Sequence, residues 1–209
     1  MTAVSLDRNE IAQRGKRLEY LTIGWNSLEG LVALLAGVTA GSISLVGFGI
    51  DSFIEVVSGA ALLWRMSVDS DVQHRESNEK LALRIVGICF VGLAVYICYE
   101  SAADLLYRRE PESSIAGIVL AVVSLIVMPL LSGAKRSVGR QLGSAAMHAD
   151  ATQTEFCMYL SAVLLVGLLL NRFFGLWWAD PVAALIMVPL IGKEGYEGLQ
   201  GKDCDSCQA

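Results

Sequence analysis

The sequence predicts an all-α membrane protein, a bundle of six transmembrane helices. Three observations carry that expectation. Of 209 residues, 54% are hydrophobic and 18% charged, whereas a soluble domain carries about 25% charge. Six apolar stretches approach the roughly 20 residues that a spanning helix needs. Lysine and arginine fall almost entirely on one side of those stretches.

The first stretch runs from about Tyr20 to Ser42 and the second from about Ile43 to Leu63. The third covers about Ile85 to Tyr107, and the fourth, about Ser113 to Ala134, holds no charge at all. The fifth runs from about Ala149 to Leu170. The sixth, about Leu176 to Ile191, is the shortest, and Pro189 should bend its inner end. Asp180-Pro181 reads as the N-cap and first-turn proline of that helix. The division that results is a cytoplasmic segment 1–17, a transmembrane domain 18–195 and a short cytoplasmic tail 196–209.

With the N-terminus placed inside, the outer loops hold only Arg108, Arg109 and Arg172; the other 13 of the 16 basic residues are inside. Both termini are therefore expected in the cytoplasm, with the chain in the plasma (cytoplasmic) membrane and the lipid bilayer as its first partner. The N-terminal segment has no apolar core and is not a signal peptide. The net charge of −5 argues against nucleic acid. The five cysteines do not form a secreted disulfide framework.

The informative feature is charge at depth. Glu29, Asp51, Glu55 and Glu155 fall well inside apolar stretches, with Asp150, Glu100, Asp104 and Asp180 nearer the ends. No lysine or arginine is expected at comparable depth. Each such group costs at least about 2.5 kcal/mol at the bilayer centre. Without internal cations to offset that cost, a pathway for positive ions follows.

Asp51 and Glu55 stand one helical turn apart on a face that continues through Ser44, Gly47, Ser58 and Gly59. On the fifth stretch, Asp150, Gln153, Thr154, Cys157 and Ser161 share a face, while His148 and Glu155 point the other way. At 1.5 Å per residue, Asp51 and Glu55 lie about 12 and 18 Å from their outer end, and Cys157 and Gln153 about 20 and 26 Å. Antiparallel packing would set Asp51 nearest Cys157 and Glu55 nearest Gln153. Two carboxylates, an amide oxygen and a thiolate can make a four-ligand metal site.

The run from Gly41 through Asp51-Ser-Phe-Ile-Glu55 resembles the second helix of cation diffusion facilitators. Ala149-Asp-Ala with Gln153 and Cys157 resembles their fifth, Trp178-Ala-Asp180-Pro the start of their sixth, and Glu100 fits an acid late in their third. The resemblance spans all six stretches. It implies a six-helix, usually dimeric exporter that moves divalent metals out of the cytoplasm, commonly in exchange for protons. It also implies a member with the transmembrane domain alone, lacking the family's cytoplasmic C-terminal domain. Zinc-selective members place His and Asp where Gln153 and Cys157 stand here. Zn2+ is the first expectation, with Mn2+, Fe2+ and Cd2+ as alternatives, since thiolate favours softer ions and oxygen donors harder ones. The metal is cargo, and no permanently bound cofactor is expected.

Asn26 and Glu29, on one face of the first stretch, are candidates for a gate or proton relay. Asp150 and His148 are candidates for the cytoplasmic entrance. Cys204 and Cys207 form a CxxC that supplies two accessory metal ligands at most. Two other function classes compete. An intramembrane serine hydrolase would use Ser58-Gly59 and His148, but Val56 stands where its motif needs glycine. A non-transporting metal sensor or scaffold would share the acids. The chain is not read as an enzyme.

Overall fold

The computed structural model describes residues 8–67, 72–109, 112, 114–143 and 145–200. Among these, the regular structure is helical: α1 (Arg8–Ala40), α2 (Ile43–Ser67), α3 (Val72–Tyr107), α4 (Ile115–Leu142), α5 (Ala145–Phe174) and α6 (Ala179–Gln200). All six expected helices are present, and the chain is an integral membrane protein. Stretches of α1 to α5 are long and apolar enough to cross a bilayer. The sixth helix, the shortest expectation, is the exception, with 22 residues.

Several helices outrun their apolar stretches at the end assigned to the cytoplasm. α1 starts at Arg8, within the segment read as 1–17, and α4 continues to Leu142, past the expected end near Ala134. Backbone hydrogen bonding continues regardless of side-chain hydropathy, so the helix outlasts the apolar run. Pro189 sits inside α6, which runs on to Gln200.

Helices α1, α2, α4 and α5 form the centre: α1 packs on α2 and α4, and α5 on α4 and α2. The α3–α6 pair lies against α2 and α5. Small residues allow these approaches, as expected where van der Waals packing drives association. A Cβ at Gly37 would stand 2.8 Å from the Val46 backbone nitrogen, and one at Gly87 2.7 Å from that of Leu199. Gly41 (φ +65°) makes the turn between α1 and α2, a conformation that glycine adopts without strain. Ser114 caps α4, accepting from the Gly117 backbone N–H at 3.0 Å, and Gly143 closes it at φ 61°.

Asp180 ties the start of α6 to the start of α2, in a role different from the one its sequence suggests. α6 already begins at Ala179, and the Asp180 carboxylate serves another helix. It accepts from Ser42 Oγ at 2.6 Å, Ser44 Oγ at 2.5 Å and the Ser44 backbone N–H at 3.2 Å. Asp180 thus caps α2 from across the bundle, placing negative charge at a helix N-terminus.

Candidate metal site between α1, α2 and α5

The acids at depth are buried. Glu29 and Asn26 on α1, Asp51 and Glu55 on α2, and Cys157 on α5 each expose 6% or less of their surface. α2 and α5 are in contact, as the antiparallel expectation requires. Asp51 lies within electrostatic range of Cys157, but Glu29 and Glu55 act on that thiol more strongly, so Asp51 is not its nearest acid, contrary to the expectation from sequence. The partner of Glu55 differs from the expected one: Thr154 Oγ1 donates to Glu55 Oε1 at 2.6 Å. Thr154 shares this face, as its helical phase implies, and touches the acid directly. Gln153 is half-buried, with its Nε2 atom buried and unpartnered.

Glu29, read from the sequence as a gate or relay, is part of the same cluster. Its Oε2 accepts from Ser52 Oγ at 3.2 Å and faces Cys157 Sγ at 4.0 Å. Asn26 lies beside Glu55. Glu29 Oε1, Glu55 Oε2 and Asn26 Oδ1 are buried acceptors without a hydrogen-bond partner in the protein. Buried acceptors are nearly always satisfied in folded proteins, so three in one cluster mark unused capacity for a cation or a proton. Among the described residues, no group of three or more His, Cys, Asp or Glu is gathered closely enough to hold a metal ion.

One expectation is overturned. A cation does lie inside the bundle: Lys135 is completely buried. Its ammonium is paired with Asp150 and stands 3.4 Å from Glu19 Oε2 and 3.3 Å from Thr154 Oγ1. The fourth apolar stretch ends just before Lys135, so a hydropathy boundary put it in the cytoplasmic loop. Glu19, also fully buried, sits just before the first stretch, where hydropathy gives no sign of burial. Both belong to helices that continue inward-packed beyond the apolar runs. Asp150, read as an entrance residue, is the partner of this lysine.

Glu155 faces away from the cluster, as its helical phase implies, and pairs with Arg136 at a half-exposed position. The His148 ring lies against Gly139 of α4, and its carbonyl accepts from Thr152. Gly59 instead faces Ile23 and Glu19, so the neighbours of Gly59 and His148 give no support to a serine–histidine pair. Glu100 and Asp104 share Arg109, at 3.5 Å each. Cys204 and Cys207 lie outside the described residues.

Comparison with known proteins agrees with this architecture. The profile of the cation efflux transmembrane domain matches residues 21–199. The chain is 28% identical over 185 residues to an uncharacterized transporter of Methanocaldococcus jannaschii, covering 85% of this chain and 64% of that protein. It is 25% identical over 173 residues to a cation-efflux pump of Shewanella oneidensis, covering 79% of this chain and 58% of the pump. A cadmium, cobalt and zinc/H(+)-K(+) antiporter of Bacillus velezensis is 28% identical over 125 residues, covering 56% of this chain and 37% of that protein. The chain thus spans under two thirds of the length of these relatives. The helix order, the buried acids of α2 and α5 and the match across 21–199 place this chain in the cation efflux family.

Proposed function

We infer that the protein moves divalent metal cations across the membrane, outward from the cytoplasm, through the cluster between α1, α2 and α5. The observation that supports this most directly is the set of buried oxygens without a hydrogen-bond partner on Glu29, Glu55 and Asn26, with the Cys157 thiol 4.0 Å from the other Glu29 oxygen. Packing alone does not account for acids this costly at depth. The ion binds among Asp51, Glu55, Gln153 and Cys157, and Glu29 and Asn26 close the α1 side. Binding draws α2 and α5 together to gather these donors.

Carboxyls and thiol must lose their protons to ligate. Metal taken up from the cytoplasm displaces protons, and protons displace the metal on the far side, which makes the cycle a proton antiport by alternating access. Thiolate with oxygen donors suits Zn2+ first. The named substrates of the antiporter relative, cadmium, cobalt and zinc, belong to the same chemical range. The working unit is a homodimer joined through membrane helices, and a monomer by mass in nanodiscs overturns that part.

The test is flux. Purified protein in liposomes should carry Zn2+ with counter-movement of protons, and Mn2+, Fe2+ and Cd2+ in competition rank the selectivity. Metal binding without flux would favour a sensor, and neither would end the metal reading.

A further inference from the structure

The transport reading leaves one buried group without a task. Lys135 belongs to α4, which supplies none of the proposed ligands, and its ammonium is fully enclosed. It joins three helices: its own, α1 through Glu19 and α5 through Asp150 and Thr154. Thr154 then carries the connection to Glu55 on α2, accepting from Lys135 and donating to the carboxylate. The cluster lies on one side of the proposed metal site. A Cβ at Gly59, one turn beyond Glu55, would meet Glu19 Oε2 at 3.3 Å. Gly59 is towards the end of α2 that the charge distribution assigns to the cytoplasm.

We propose that Lys135 is a tethered counter-ion that closes the cytoplasmic half of the pathway once the metal has left the site outward. This rests on the transport reading above. The emptied site is rich in carboxylates, and a buried anion without a partner is costly. The ammonium supplies positive charge to Glu19 and Asp150 directly and to Glu55 through Thr154. Held there, it pins α4 to α1 and α5 across the route between site and cytoplasm. When the ammonium swings away from these acids the cytoplasmic half reopens, and a divalent cation from the cytoplasm can reach Glu55. The clamp thus has two arrangements, one closed after release outward and one open for the next uptake. Lys135 is a positioning residue and does not itself ligate the metal.

The test uses the full chain in inside-out and in right-side-out vesicles, with cysteines 89, 98, 204 and 207 changed to serine so that Cys157 is the sole thiol. Lys135→Met alone strands Glu19 and Asp150 in the interior and endangers folding. The main variant is therefore the neutral triple, Lys135→Met with Glu19→Gln and Asp150→Asn; Lys135→Arg is the conservative control. An impermeant maleimide is applied without metal, first to the cytoplasmic and then to the outer face.

In the parent, Cys157 should be closed from the cytoplasmic face. In the neutral triple its labelling from that face should rise at least about tenfold, a gate equilibrium shifted by a decade. Labelling from the outer face should not rise, and Lys135→Arg should behave as the parent. A general loosening opens both faces equally and overturns the gate. Unchanged labelling in the triple, with flux intact in the parent, overturns it as well. Failure of the parent to bind or move Zn2+ is a different result, which removes the transport reading itself.

Discussion

Thr154 of α5 and Glu55 of α2 are joined by a hydrogen bond of 2.6 Å in the buried centre of the bundle. The threonine hydroxyl has its shortest contact to the acid and a longer one, 3.2 Å, to the Asp150 backbone carbonyl, while its oxygen accepts from Lys135 Nζ at 3.3 Å. One hydroxyl thus links the proposed metal site to the buried cation.

Thr154→Val keeps the shape and removes that link. It leaves both Glu55 oxygens unpartnered by α5 and should cost about 1–3 kcal/mol, the range for a buried polar group left unsatisfied. Thr154→Ser should recover most of the loss. Unfolding in mild detergent checks the pair, and a Val variant as stable as the parent would show that the bond contributes nothing.

Asp51→Ala should abolish metal flux with the helical content intact, whereas Glu155→Gln should be mild. Glu155 meets Arg136 at a half-exposed position, and such pairs contribute under about 1 kcal/mol. Flux and circular dichroism on both variants decide it. Should the Glu155 variant be more impaired than Asp51→Ala, the site lies on the other face of α5.

Cys157→Ser exchanges a soft donor for a hard one. Zn2+ and Cd2+ should bind more weakly, and the ranking should move towards Mn2+. Competition between these ions, measured by calorimetry at fixed pH, reads the change. An unaltered ranking would remove Cys157 from the ligand set. Affinity in the parent should also fall as pH falls, because protons compete for each ligand that must be deprotonated.

Asp180→Ala removes the cross-bundle cap of α2 and leaves the Ser44 backbone N–H unpaired. The expected cost is about 1–2 kcal/mol. Hydrogen exchange should accelerate first in the opening turn of α2, near Ser44 and Leu45. Equal protection with and without the carboxylate would mean that Ser42 suffices as the cap; its Oγ accepts from the Leu45 N–H at 3.2 Å.

Topology has its own check. Single cysteines introduced at Thr2 and in the Arg108–Arg109 loop should be labelled from opposite faces of intact cells, Thr2 only after permeabilisation. Outer labelling of Thr2 would reverse the orientation that the basic residues suggest.

The sequence by itself determined the six helices, because apolar runs of spanning length form helices wherever the backbone must satisfy its own hydrogen bonds. It also determined that Asp51 and Glu55 share a face, and that Cys157 lies opposite Glu155, since helical phase is a local property. Tertiary structure decided the rest. Whether Thr154 or Gln153 meets Glu55 depends on a rotation of α5 by one residue, and packing against α2 and α4 fixes that rotation. Asp180 belongs to α6 in sequence but caps α2, because the first turns of the two helices converge. Glu29 joins the buried acid cluster through its distance to Cys157, a residue far away in the chain. Lys135 is the clearest instance. A charge at the edge of an apolar run reads as a loop residue when only hydropathy is considered. It is interior here because Glu19 and Asp150 arrive from two other helices to receive it, and their positions in space are set by how the helices pack.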